Sequence, residues 1–144
     1  MPLAPELLEK YTPTIGIECH VQLKTKTKLF SAVDNDARKA EPNTLISHID
    51  VGLPGALPVL NQAAIDLAVR AAFALNTTPQ KFSKFDRKHY FYPDLPKGYQ
   101  ITQFEDPIIK GGHVEYIDDG QKKIANITRA HLEEDAGKNT HPTG

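Results

Sequence analysis

Cysteine is nearly absent: Cys19 stands alone among 144 residues. One thiol excludes an intramolecular disulfide framework and any zinc site built on cysteines. No run approaches the ~20 apolar residues of a membrane-spanning helix. The opening MPLAPELLEKYTP has neither the basic nor the apolar region of a secretory leader. Without an export signal, the triplets Asn76-Thr77-Thr78 and Asn126-Ile127-Thr128 are chance matches to the glycosylation pattern. The expected compartment is the cytoplasm, with no membrane partner. An excess of either charge is missing too. The formal net charge is -1, so whole-chain electrostatics neither favour nor exclude a polyanionic partner, and any nucleic-acid signal must be local. A Walker-type phosphate loop is also lacking, so a nucleotide would need another architecture. His48, His89, His113 and His141 show no metal-ligand spacing with one another.

What is present suits one soluble domain with a real core: 40% hydrophobic and 24% charged residues. Thr14 to Lys24, TIGIECHVQLK, alternates strictly. Ile15, Ile17, Cys19, Val21 and Leu23 fall in one set and Glu18, His20, Gln22 and Lys24 in the other, which predicts a strand with Cys19 in the core. Short strands are expected near Lys28 to Ser31 and Ile46 to Val51. GLPGALPVLN, with two glycines and two prolines, is a shaped turn. Asn61 caps a helix over QAAIDLAVRAAFALN, with Ile65, Ala68, Val69, Ala72 and Leu75 on its buried stripe. Pro93, Pro96 and Gly98 shape a loop between strands within residues 81 to 104. The Asp119-Gly120 pair marks a hairpin turn. The closing AGKNTHPTG has no pattern.

Two stretches carry chemistry. Glu18 and His20 project the same way, about 6.5–7 Å apart along a strand. That face is either solvated or supplies two ligands for one cation. In ITRAHLEED, Glu133 and Glu134 lie on opposite faces if the strand continues, while a turn there aims both at one site. Two carboxylates about 4 Å apart repel by roughly 4 kcal/mol at an effective dielectric near 20. A cluster with Glu18 therefore must protonate, spread apart or take a hard divalent ion. Histidine is an uncommon Mg²⁺ ligand, which leaves Mn²⁺ or a water-mediated role for His20 open. In the central stretch five basic side chains, Lys81, Lys84, Arg87, Lys88 and Lys97, face two acidic ones, Asp86 and Asp94. Phe82, Phe85, Tyr90, Phe91, Tyr92, Tyr99 and Phe104 interleave with them. As a group these aromatics are read as core. The alternative is a stacking surface for a nucleotide or a single-stranded RNA end.

IGIECHVQLKTKTKLF, GLPGALPVLN, SKFDRKHYFYPDLPKGYQITQ and HLEEDAGK, in that order and spacing, resemble the amino-terminal part of the B subunits of tRNA-dependent amidotransferases. The resemblance covers nearly all of the chain after the first dozen residues. It implies an α+β catalytic domain similar to glutamine synthetase and guanido kinases, an antiparallel sheet cradle with flanking helices. It implies that residues 1–144 are the amino-terminal part of that domain, with the helical tRNA-binding regions absent. It further implies ATP- and Mg²⁺-dependent phosphorylation of the side-chain carboxylate of Glu-tRNA(Gln) or Asp-tRNA(Asn). Ammonia from a glutaminase (A) subunit then completes the amidation, and a small C subunit completes a heterotrimer.

Carried onto this chain, the catalytic residues match Glu18, His20 and Glu133, and the metal ligands Glu18, His20, Glu133 and Glu134. Positions facing ATP phosphates or the tRNA end match Lys84, Arg87, Lys88 and Lys97. The zinc-binding cysteines of many relatives are missing from residues 31 to 50, so no zinc is expected. His89 stands where asparagine is usual. Two other readings are a non-catalytic RNA-binding module and an inactive truncated piece whose exposed core drives self-association.

Overall fold

The computed structural model describes residues 10–89, 91–93 and 95–135. Tyr90, Asp94, the opening residues 1–9 and the patternless tail with His141 lie outside the described residues. The α+β expectation holds in its coarse form, with one described helix and antiparallel strand pairs. No described helix is long and apolar enough to cross a membrane.

The helix, α1, spans Gln62–Ala74. Asn61 Oδ1 accepts the Ala63 N–H at 3.0 Å, satisfying one of the donors that a helix start leaves free. The Asn61 amide nitrogen donates in turn to the Thr27 carbonyl at 3.1 Å, so one cap joins helix and preceding loop. Ala64, Ala68 and Ala72 recur every four residues on the buried face. Side chains this small let other segments approach the helix closely, and Ile108, Ile109 and Leu132 fill the space against Ala68 and Ala72. The stripe is therefore narrower than its apolar content suggests, because Ile65 and Leu75 only flank it. The chain leaves α1 through Asn76, at φ 55°. Leu75 O accepts the His113 N–H at 2.8 Å. A Cβ on Gly112 would stand 2.6 Å from that carbonyl, so only glycine permits the approach.

Among the described residues, six strands pair as three antiparallel ribbons. Strand β1 (Asp86–His89) pairs with β2 (Tyr99–Thr102) in the register Arg87 to Ile101. Strand β3 (Ile109–Lys110) pairs with β6 (Arg129–Ala130). Strand β4 (His113–Asp118) and β5 (Gln121–Asn126) form the expected hairpin. Asp119 and Gly120, at φ 49° and 73°, supply the two left-handed residues of its turn. Gln103, 3% exposed, ties the interior together. Its Oε1 accepts the N–H groups of Ile108 at 3.2 Å and Leu132 at 3.0 Å, while Nε2 donates to Ser83 Oγ at 2.5 Å.

Four expectations are corrected. Residues 11–24 form no strand, and Cys19 is exposed rather than core. Ile15 and Ile17 are 81% and 86% accessible. Alternation marks which side chains share a face, but a strand also requires a ladder partner, and none of the described residues supplies one. Ile46 to Val51 is a turn, because Asp50 Oδ2 accepts the Ser47 N–H at 2.7 Å and its hydroxyl at 2.8 Å. Such local side-chain bonds compete with strand ladders. Most of the described central aromatics are not core: Phe82, Phe91, Tyr92 and Phe104 are exposed. The first of them precedes β1 in the chain and the next two lie in the β1–β2 loop. The short strand expected near Lys28 is reduced to a single bridge between Thr27 and Asp34.

Candidate functional site

The site grows from the segment that follows β6. Gln103 holds the Leu132 N–H, Leu132 is buried in the core, and Glu133 and Glu134 follow directly. Glu134 turns toward the body of the protein. Its N–H donates to Ile101 O at 3.0 Å and its Oε1 accepts the Ile101 N–H at 2.6 Å. Its carbonyl accepts Gln100 Nε2 at 2.8 Å. One residue thus takes the place of a strand on the free edge of β2. Its remaining oxygen, Oε2, meets Lys97 Nζ at 2.5 Å. Gly52, at φ +67°, lets the chain pass close to Lys97, since a Cβ there would lie 2.4 Å from the Lys97 Cβ. The GLPG turn and the PKGY loop are therefore one packing unit.

Glu133 turns the other way. Thr102 Oγ1 donates to its Oε2 at 3.2 Å, and His131 Nε2 lies 3.3 Å from the same oxygen. Oε1 faces His20 Nδ1 at 3.4 Å, and His20 Nε2 is 4.0 Å from Glu18 Oε2. Glu18, His20 and Glu133 are thus brought into one chain of contacts even though the first two lie on no strand. Glu134 is not part of that chain. Two carboxylates and an imidazole are a donor set of the right kind for a divalent ion, with the nitrogen favouring Mn²⁺ over Mg²⁺. The contacts are pairwise: among the described residues no three His, Cys, Asp or Glu side chains gather around one point at ligand distances.

The four cations expected at phosphate or RNA are placed apart. The β1–β2 register puts Arg87, His89, Tyr99 and Ile101 on one face of the ribbon and Lys88, Gln100 and Thr102 on the other. Arg87 lies 4.5 Å over the Tyr99 ring, with His89 edge-on to it at 6.4 Å. Lys88 shares the face of Thr102, the residue that touches Glu133. Lys84 sits among Glu105, Asp106 and Asp86 at 3.3, 3.6 and 4.0 Å. The Glu105 hydrogen bond, with help from the other carboxylates, raises its pKa above the ordinary lysine value. Lys97 is consumed by Glu134. Sequence reasoning passed over two residues of the Glu133 contact set, Thr102 and His131. The signal for the second was present, since His131 and Glu133 stand two apart, the same spacing that drew attention to Glu18 and His20.

Residues 13–144 match the family description "GatB/GatE catalytic domain". The chain belongs to the GatB/GatE catalytic-domain family. Among its relatives are proteins named as the B subunit of aspartyl/glutamyl-tRNA(Asn/Gln) amidotransferase. That of Halalkalibacterium halodurans is 56% identical over 131 residues, covering 91% of this chain and 27% of the relative. The Thiobacillus denitrificans protein is 51% identical over 132 residues, 92% of this chain and 28% of its own length. That of Bacillus thuringiensis is 57% identical over 127 residues, 88% and 26%. The chain thus spans about a quarter of the length of the relatives it matches. In the family frame, Glu18 and His20 belong to the matched GIECHVQL stretch, and His131, Glu133 and Glu134 to the matched HLEED stretch.

Proposed function

We propose that this chain carries part of the carboxylate-activating site of a tRNA-dependent amidotransferase. The observation that carries the reading is Glu133, whose two oxygens are held between His20 on one side and Thr102 with His131 on the other. Family membership supports a role in tRNA-dependent amidation; in this reading the reaction is ATP-dependent phosphorylation of the side-chain carboxylate of Glu-tRNA(Gln) or Asp-tRNA(Asn), followed by amidation to Gln-tRNA(Gln) or Asn-tRNA(Asn). In this reading a glutaminase subunit and a small subunit assemble with it in the cytoplasm, and the complete domain forms a glutamine synthetase-like cradle.

A divalent ion, Mg²⁺ or Mn²⁺, neutralises phosphate charge in such transfers. Glu133 Oε1, His20 and Glu18 are the residues that would hold it, and Glu134 serves instead to fix β2. Lys88, on the Thr102 face, is the cation best placed to meet phosphate at that site. The test is tRNA-dependent ATP hydrolysis by the protein assembled with its partner subunits. Glu133→Ala is expected to reduce it at least about 100-fold, and undiminished turnover in that variant would sink the assignment.

A second reading rests on the Arg87–Tyr99–His89 stack. A guanidinium over an aromatic ring beside an exposed Phe91 suits a single-stranded RNA end without catalysis. It expects salt-dependent binding of aminoacyl-tRNA that weakens in Tyr99→Ala while ATP hydrolysis stays absent.

A further inference from the structure

We propose that residues 16–22 are an interaction surface for a second copy of this chain, the two segments pairing antiparallel about a two-fold axis at Cys19. Glu18 of each copy then stands opposite His20 of the other, and Ile17 opposite Val21. The pairing needs no ion and is independent of the reaction proposed above.

The segment is patterned as a strand but has no neighbour. Ile15, Ile17, Cys19 and Val21 alternate without a break with Gly16, Glu18, His20 and Gln22. None of these residues has a positive φ. The main-chain N–H and C=O groups of residues 14–22 make no hydrogen bond to another described residue. Ile15, Ile17 and Val21 are largely exposed. The chain is first tied down at Leu23, which packs against the core and whose carbonyl accepts Asn35 Nδ2 at 3.0 Å. A row of open main-chain groups beside an alternating apolar set is a template for pairing with another chain.

Self-complementarity selects the second copy as partner and fixes the register. Residues directly opposite in an antiparallel pair share a face, so the axis must fall on a residue for apolar positions to meet apolar ones. An axis on Glu18 opposes two carboxylates, which is destabilising. An axis on His20 opposes two imidazoles and, with Leu23 held, pairs only residues 18–22. An axis on Ile17 sets Val21 against Pro13, which has no N–H to give. The axis on Cys19 alone places a carboxylate against an imidazole, twice, and a branched aliphatic side chain against another, twice. His20 faces its own Glu133 through Nδ1 at 3.4 Å. Its Nε2 lies 4.0 Å from Glu18 of the same chain, too far for a hydrogen bond, and is left for Glu18 of the second copy.

The test is sedimentation velocity of the reduced full chain, followed by thiol crosslinking. The dimer fraction should rise with protein concentration, and Ile17→Lys and Glu18→Lys should each weaken association about tenfold or more. Diamide, which takes two electrons and two protons from a pair of thiols, should join two copies through Cys19. In this register the two Cys19 Cα atoms stand about 4.5–5.5 Å apart, within reach of a disulfide. With Cys19→Ser as background, Ile17→Cys alone should not crosslink, because the two positions are four residues out of step, about 13 Å. Mixing the Ile17→Cys and Val21→Cys chains in that background should restore the crosslink. If Ile17→Lys disturbs folding, as circular dichroism would reveal, Glu18→Lys and the cysteine pairs decide.

A monomer at every concentration up to the millimolar range overturns the proposal and leaves this segment to a different chain. Dimers that neither Ile17→Lys nor Glu18→Lys weakens overturn it as well, because they form through another surface. So does an Ile17→Cys chain that crosslinks to itself as fast as Cys19 does, since exposed thiols are then meeting by collision rather than in register.

Discussion

Lys97 Nζ lies 2.5 Å from Glu134 Oε2, and only 5% and 14% of the two side chains remain accessible. Removing one partner of such a buried pair leaves an uncompensated charge, which typically costs about 3–5 kcal/mol. Lys97→Met is expected to lower unfolding stability by that amount in urea titrations. Because Glu134 also accepts the Ile101 N–H, the double change Lys97→Met with Glu134→Leu should not recover wild-type stability. Full recovery would mean that Glu134 does not hold β2.

Gly52 and Gly55 make a matched pair of tests. Both have positive φ, 67° and 82°, but only a Cβ on Gly52 strikes a neighbour, the Lys97 Cβ at 2.4 Å. Gly55→Ala should cost only the backbone strain, about 1–2 kcal/mol. Gly52→Ala should cost clearly more and should also loosen the Lys97–Glu134 pair. Equal losses in thermal unfolding would show that the close approach is absent in solution.

Asp50 gives a pH signature. Burial acts to raise its carboxyl pKa, but hydrogen bonds from Ser47 and the Lys28 ammonium outweigh it and hold the group below its ordinary 3.8. A depressed folded-state value means that the stabilisation is present above the unfolded value and fades as pH falls through the folded one. Asp50→Asn is therefore expected to lose about 2 kcal/mol at pH 7. The gap to wild type should close as the pH is taken below about 4. A gap independent of pH between 7 and 3 would contradict the ionised pairing.

Gln103 is a buried amide with both ends used. Gln103→Leu leaves the Ile108 and Leu132 N–H groups without the acceptor they have at 3.2 and 3.0 Å. A loss of about 2–4 kcal/mol is expected, with faster hydrogen exchange at these two amides than at Ala72 in α1. Unaltered exchange at Leu132 would show that water replaces the amide without consequence.

The sequence reveals elements whose signals are local. The Asn61 cap acts within two residues, and the Asp119-Gly120 turn needs only two left-handed dihedrals, so both are legible. The strand expected at Thr14 to Lys24 is not, because a period of two specifies faces and says nothing of a neighbour. Asp50 hides a turn inside an apolar run, since Ile46, Ile49 and Val51 suggest a strand while one carboxylate rearranges the backbone. At the site, the i, i+2 spacing of Glu18 with His20 is legible, and the structure brings His20 within 3.4 Å of Glu133. Which way each of two consecutive glutamates faces depends on Lys97 and Thr102, some thirty residues earlier in the chain. His131 went unassigned because the carboxylates beside it carry the stronger signal.

The divergence of Glu133 and Glu134 joins surface chemistry to the interior through a single peptide unit. One carboxylate is open to whatever arrives at the surface, and the next is a peg driven into the edge of β2. A ligand that binds the first is expected to steady the second, because binding to the native state alone raises the free energy of opening. Occupancy of this site can therefore be followed without measuring any reaction, as protection of the Ile101 amide against exchange with solvent.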